Sequence, residues 1–223
     1  MIEISNLLTT DELDVINGLL AGGTWFSGSR SAGLAASKHK HNEEMDQSCD
    51  EWQKINALVV RKLYQHHEFK RAALPSKVSA AFISKYCSGM HYGAHIDNPI
   101  MGSPGAHYRS DLACTVFLSD PSTYDGGELS IHTPLGPVNV KLNAGGAVVY
   151  PASSIHEVLP VTKGERIVCA LWAQSLIADA SKREILAELD DARMALQQTL
   201  PEAKVTQSVD HAYSNLMRLW AKI

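Results

Sequence analysis

Between residues 76 and 176 short apolar runs follow one another with turn signals between them, and this rhythm limits the fold more than any other feature of the chain. Candidate strands fall at 77–86, 111–118, 128–133, 138–142, 147–150, 156–161 and 166–174. They are separated by Asp125-Gly126-Gly127, Pro134-Leu135-Gly136-Pro137, Asn143-Ala144-Gly145-Gly146 and Thr162-Lys163-Gly164-Glu165. Many short strands at this spacing imply an all-β sandwich or barrel-like core.

The flanks read as helical. Thr9 with Glu12 has capping-box spacing, and Leu13, Ile16, Leu19 and Leu20 follow at helical intervals before Gly22-Gly23. Residues 25–42 read as strand plus loop. A second box, Ser48 with Glu51, precedes the stripe Trp52, Ile55, Val59 and Leu63. A third, Ser181 with Glu184, precedes Ile185, Leu186, Leu189, Ala192, Met194 and Leu196, and a last helix over 205–221 carries Leu216, Leu219 and Trp220. The expected organisation is an N-terminal helical and strand region (1–76) packed on a β core (77–176), with C-terminal helices (177–223) on its outside.

Charge and composition exclude several classes. A net charge of -4 lacks the electrostatic footprint of a nucleic-acid binder. No apolar run approaches the roughly 20 residues that span a bilayer, and the first residues have no basic region of the signal-peptide kind. Cys49, Cys87, Cys114 and Cys169 are far apart and form no Cys-x-x-Cys, so neither a disulfide framework nor a zinc ribbon is expected and a reducing cytoplasm fits. Helix stripes of this kind also serve as subunit interfaces, so a homo-oligomer is an open expectation.

The chain has 10 histidines. His39, His41, His66 and His67 lie in charged surroundings, and His107 and His132 in or beside loops. His91 is near a candidate site without belonging to it. His95 and Asp97 differ. In an extended strand, residues i and i+2 point to the same face, so an imidazole and a carboxylate project together, and Pro99 ends the segment. His156, 61 positions later, completes two histidines and one carboxylate. Such a facial set leaves coordination positions open and suits non-haem Fe(II) oxygenases. Arg166 follows His156 by ten residues and enters the apolar run Ile167-Val168-Cys169-Ala170-Leu171. Reading the intervening 162–165 as a hairpin turn puts it on the strand next to that of His156. An arginine there needs an anion: Glu157 or Glu165 structurally, or the far carboxylate of a dicarboxylate cosubstrate.

His95-x-Asp97, His156 and Arg166, in this order, resemble the Fe(II)/2-oxoglutarate-dependent dioxygenases. Tyr92-Gly93-Ala94-His95-Ile96-Asp97-Asn98-Pro99, Phe117-Leu118-Ser119-Asp120-Pro121 and Tyr124-Asp125-Gly126-Gly127-Glu128-Leu129 narrow this to the bacterial PKHD-type (prolyl/lysyl hydroxylase-domain) hydroxylases. So do Tyr150-Pro151-Ala152-Ser153-Ser154-Ile155-His156, the run from Pro160 to Arg166, and Leu171-Trp172-Ala173-Gln174-Ser175. The likeness is dense from about residue 78 onward and looser before it, where Trp25, Gly28, Gly33, Lys38 and Asn42 are similar to the family pattern.

The resemblance implies a mainly β protein, a distorted double-stranded β-helix (jelly roll) with flanking helices. It implies His95, Asp97 and His156 as Fe(II) ligands, Arg166 as partner of the 2-oxoglutarate C5 carboxylate, and Tyr86 and Tyr92 as walls of the cosubstrate pocket. The implied cofactors are Fe(II), 2-oxoglutarate and L-ascorbate. The implied reaction hydroxylates an unactivated C–H of a small molecule or peptidyl side chain, releasing succinate and CO2. No nucleic acid or membrane partner is expected. Two rivals share the architecture: a cupin-like metalloenzyme without 2-oxoglutarate, and a non-catalytic binding module.

Overall fold

The computed structural model describes residues 1–31 and 39–222, so Gly33 and Lys38 of the family pattern lie outside the described residues. The architecture is the expected jelly roll with flanking helices: two antiparallel sheets facing each other, with helices stacked on the back of the larger one. The major sheet runs in the order Ile2–Ile4, Ala147–Pro151, Leu112–Phe117, Glu165–Ser175, Phe82–Cys87, Glu43–Met45 and Trp25–Ser27, with Pro75–Val78 also paired to Glu165–Ser175. The minor sheet runs Gly136–Val140, Leu129–Thr133, His156–Val158, His91–His95 and Lys40–His41. The first 76 residues thus supply edge strands to both sheets.

Strand alternation sorts the interior into two cores. On Glu165–Ser175, Cys169, Leu171 and Ala173 face the helices and join Ile16, Ile55 and Val59. Val168 faces the other way and packs with Phe117, Ile131, Val140 and Val158 from both sheets. The helix Thr10–Gly22 keeps its capping box, the Thr9 hydroxyl accepting from the Glu12 amide and Glu12 accepting from the Thr9 amide. In Asp50–Gln65 the stripe Ile55, Val59 and Leu63 is fully buried.

Four readings of the sequence need correction. The candidate strand 77–86 is two strands, Pro75–Val78 and Phe82–Cys87. In the gap the Ala81 peptide is claimed by side chains, donating to Asn56 Oδ1 and accepting from Trp52 Nε1, while Ser79 Oγ accepts from the Trp172 amide. The candidate strand 156–161 ends at Val158. The chain passes through Leu159-Pro160 into Val161–Lys163, which pairs with Asp125–Gly126.

Two of the three capping boxes do not form. Ser48 Oγ donates to Asp46 Oδ1, and the helix starts after Cys49. Asp179, not Ser181, caps Ala180–Thr199, accepting from the Lys182 amide at 3.1 Å. Finally, the C-terminal helices make their main contacts with other helices rather than directly with the sheets. Ala180–Thr199 packs on the helix His67–Ala73, joined by Arg71–Asp191 at 2.6 Å, and Lys204–Trp220 packs on Ala180–Thr199. Leu186 is buried, but Ile185, Met194 and Leu219 are exposed.

The cap assignment has a direct check. Asp179→Ala should cost about 1 kcal/mol in urea unfolding, whereas Ser181→Ala should stay within about 0.5 kcal/mol. The reverse order would restore the capping box read from the sequence.

Candidate metal centre

His95 and His156 stand directly opposite each other on neighbouring strands of the minor sheet. Between this pair and the next, Tyr92 with Val158, the strand His91–His95 holds one residue more than its partner, a β-bulge. In a regular strand residues three apart point to opposite faces. The bulge brings Tyr92 and His95 onto one face, and their rings stack at 3.7 Å and 16°. Past the strand end the alternation carries Ile96 outward, 58% exposed, and Asp97 inward. The segment after Asp97 is held by Ser110, whose amide donates to the Pro99 carbonyl and whose hydroxyl donates to that of Asn98.

The structure brings His95, Asp97 and His156 together: one ligand atom from each lies within 4.8 Å of the others. His95 Nδ1 faces the Gly93 carbonyl at 2.8 Å and His156 Nδ1 the Ser154 carbonyl at 3.1 Å. These contacts assign the ring protons to Nδ1 and leave each Nε2 with a free lone pair. Burial, followed by nearby His156, pushes the His95 pKa down to about 4, so its imidazole is neutral at pH 7. Asp97 Oδ1 lies 3.9 Å from His156 Nε2, while Oδ2 is buried without a hydrogen-bond partner. Burial raises the Asp97 pKa. Two imidazoles held through Nδ1 and a carboxylate short of partners are a donor set that fits a divalent cation.

Arg166 enters the same cavity from the opposite sheet. It is not on a strand next to that of His156, as the hairpin reading had it, because the Leu159-Pro160 break carries the chain across to the major sheet. There Arg166 pairs with Tyr86. Its side chain is 1% exposed, and neither Nε nor Nη1 has a hydrogen-bond partner. The guanidinium rests on Tyr86 and Phe117, 5.1 and 5.6 Å from the ring centres. Neither glutamate considered from the sequence serves as its counterion. Glu165 meets Cys87 Sγ at 3.6 Å, and Glu157 meets His132 at 3.5 Å. Gly127, at φ +67°, lies under the arginine stem; a Cβ there would sit 3.0 Å from Arg166 Cδ and 2.8 Å from Val161 Cγ2.

The cavity between the sheets measures about 1210 Å³ and reaches the triad, Arg166, Tyr86, Tyr92, Tyr150 and Trp172. Burial pushes the Tyr86 hydroxyl up to about 12 and also raises Tyr92 and Tyr150, so all three remain protonated. Lys40, paired with Glu44 at 2.5 Å, lies over the Tyr92 ring at 5.2 Å. Sequence reasoning did not single out Tyr150, Trp172 or Gly127 individually. Period-two counting would have found two of them: Tyr150 shares its strand face with Val148 of the inter-sheet core, and Trp172 lines the cavity with Arg166, Val168 and Ala170 from one strand. Cys114 and Cys169 pack in the helix-side core of the major sheet, where burial pushes the Cys114 thiol up to about 12 and raises Cys169 as well.

Comparison with known proteins agrees with this geometry. The family model of the 2OG-Fe(II) oxygenase superfamily matches residues 81–174. A PKHD-type hydroxylase of Thioalkalivibrio sulfidiphilus is 46% identical over 223 residues, covering 100% of both chains. Among solved structures, a Pseudomonas putida prolyl-4-hydroxylase has a TM-score of 0.52 at 18% identity, covering 78% of this chain and 91% of its own. A Burkholderia pseudomallei oxidoreductase of the 2OG-Fe(II) oxygenase family has a TM-score of 0.55 at 17% identity, covering 75% and 81%. These two likenesses show the shared fold.

An uncompensated buried cation makes a stability prediction. Arg166→Met should leave the unfolding free energy unchanged or raise it, by up to about 1–4 kcal/mol, as when buried charges are replaced by apolar side chains of similar volume. A loss of about 3 kcal/mol or more in urea unfolding would instead mark the arginine as a structural ion-pair member.

Proposed function

The chain belongs to the 2OG-Fe(II) oxygenase superfamily as a PKHD-type hydroxylase, and we propose that His95, Asp97 and His156 hold its Fe(II) while Arg166 holds the far carboxylate of 2-oxoglutarate. The observation that carries this reading is the pairing of two unmet demands in one cavity: a buried carboxylate beside two free imidazole nitrogens, and a buried guanidinium without a counterion. When bound, the metal and 2-oxoglutarate supply O2 activation coupled to release of succinate and CO2, and with it hydroxylation of an unactivated C–H.

The chain's own residues do the positioning. The Nδ1 contacts of His95 and His156 fix both rings with Nε2 toward the site. The planar fork of Arg166 matches a carboxylate with two parallel hydrogen bonds, and its approach across the sandwich orients the cosubstrate along the cavity. Tyr86, opposite Arg166, offers a protonated hydroxyl to the same cosubstrate. Tyr92 lines the cosubstrate pocket while its ring supports His95. Apolar walls such as Val158 and Val168 limit water in the cavity. L-ascorbate would keep the iron ferrous. Residues 77–176 form the catalytic unit in this reading, flanked by 1–76 and by the C-terminal helices. Four free cysteines are in keeping with a reducing cytoplasm. The substrate is a small molecule or a peptidyl side chain.

The test is 2-oxoglutarate turnover without added substrate, followed as succinate formed in the presence of Fe(II) and ascorbate. Alanine at His95, Asp97 or His156 should lower iron content after anaerobic loading; full stoichiometry in all three variants would remove the ligand assignment. Arg166→Lys keeps the charge but loses the fork. It should raise the KM for 2-oxoglutarate about tenfold or more, equivalent to at least ~1.4 kcal/mol, with iron retained. An unchanged KM would remove Arg166 from the site.

A further inference from the structure

Asp97 needs more than a metal. A carboxylate that ligates through one oxygen leaves the other to be satisfied by the surrounding protein, and such outer partners set both the ligand's orientation and the metal's affinity. Oδ1 is the oxygen that faces His156, at 3.9 Å, and Oδ2 is the buried atom without a partner. Ser110 holds the backbone after Asp97 but makes no contact with its carboxylate.

One donor in the same cavity is also unspent. Trp172 lies six residues beyond Arg166 on the same strand, so period-two alternation turns its side chain into the cavity. Its Nε1 is buried and has no hydrogen-bond partner. An indole nitrogen can only donate, and a buried donor left unmet forfeits the hydrogen bond that water would have given it. The indole is held firmly. Ser79 brackets the Trp172 backbone, its amide donating to the Trp172 carbonyl at 2.8 Å and its hydroxyl accepting from the Trp172 amide at 2.9 Å. Phe82 meets the indole edge-on at 5.5 Å. The interruption of the strand at Ser79–Ala81 is what frees Ser79 for this task.

We propose that Trp172 is a positioning residue for the metal centre, its indole N–H donating to the Asp97 oxygen that does not ligate the metal and so holding the carboxylate to one-oxygen ligation. The inference rests on the reading of His95, Asp97 and His156 as metal ligands. It is supported by geometry: Asp97 Oδ2 and Trp172 Nε1 are both buried without a partner, and both residues line the one cavity.

The experiment uses Zn(II) alone as probe, without 2-oxoglutarate or substrate, on the full chain labelled with 15N-tryptophan. The four indole N–H signals are assigned by subtraction in Trp25→Phe, Trp52→Phe and Trp220→Phe variants. On Zn(II) addition the Trp172 signal should move downfield as its hydrogen bond forms. In Trp172→Phe, which keeps an aromatic ring but removes the donor, Zn(II) affinity should fall about tenfold or more, in line with the loss of an outer-shell partner. A Trp172 signal that stays in place while Zn(II) binds, or a Trp172→Phe affinity within about twofold of the parent, overturns the proposal and leaves the ligand assignment intact. If Trp172→Phe does not fold, the wild-type spectrum decides alone. Failure of the wild-type protein to bind Zn(II) would overturn the ligand assignment, and this inference with it.

Discussion

A guanidinium without a counterion, sealed between two sheets, is the constraint around which the rest of the molecule is arranged. Taking a charge out of water costs several kcal/mol even after relaxation, and among the described residues Arg166 has no ion-pair partner. The fold accommodates it with aromatic faces, which attract a cation without neutralising it. Tyr86 comes from the neighbouring strand on one side of Arg166 and Phe117 from the neighbouring strand on the other. Space for the stem comes from Gly127, where a side chain would strike Arg166 Cδ. The interior therefore holds a cation that its own residues do not neutralise, at the expense of the protein's own stability.

The two sheets divide the work. The minor sheet aligns the histidines by register and brings Tyr92 under His95 by a bulge. The major sheet carries Arg166 and Trp172 on one face and a plain apolar surface on the other. That apolar surface, packed against helices Thr10–Gly22 and Asp50–Gln65, supplies much of the burial. The face toward the cavity can then hold charges and unpaired polar atoms that a single-core sandwich of this size would tolerate poorly.

Much of this was legible in the sequence because it follows from local periodicity. Turn signals located the strands, period-two spacing joined His95 to Asp97, and an arginine opening an apolar run announced a buried cation. The errors arise where non-local partners decide. Ala81 leaves the ladder because the side chains of Trp52 and Asn56, distant in sequence, take its peptide groups, while Ser79 adds its hydroxyl to a backbone bond with Trp172. Ser48 and Ser181 have capping spacing, but aspartates nearby win the contest, Asp46 by engaging Ser48 and Asp179 by capping in place of Ser181. The ten-residue interval from His156 to Arg166 fits a hairpin equally well. Only the break at Pro160, which has no amide to donate, and the pairing of Val161–Lys163 with Asp125–Gly126 reveal a crossing between sheets. The placement of Tyr92 beside His95 depends on a bulge, which leaves no mark in residue spacing.

The location of the buried cysteines bears on how such a protein endures its own chemistry. A protein that handles O2 at a metal is exposed to stray oxidants, and sulfur is attacked chiefly as exposed thiolate. Cys114 and Cys169 are both buried in the helix-side core of the major sheet, and Cys169 lies outside the cavity lining. Burial raises the pKa of both thiols, so the reactive thiolate is disfavoured at neutral pH. The sheet that turns Arg166 toward the cavity thus carries Cys169 on its other face, so that oxidative wear would begin elsewhere, at the more accessible Cys49 and Cys87.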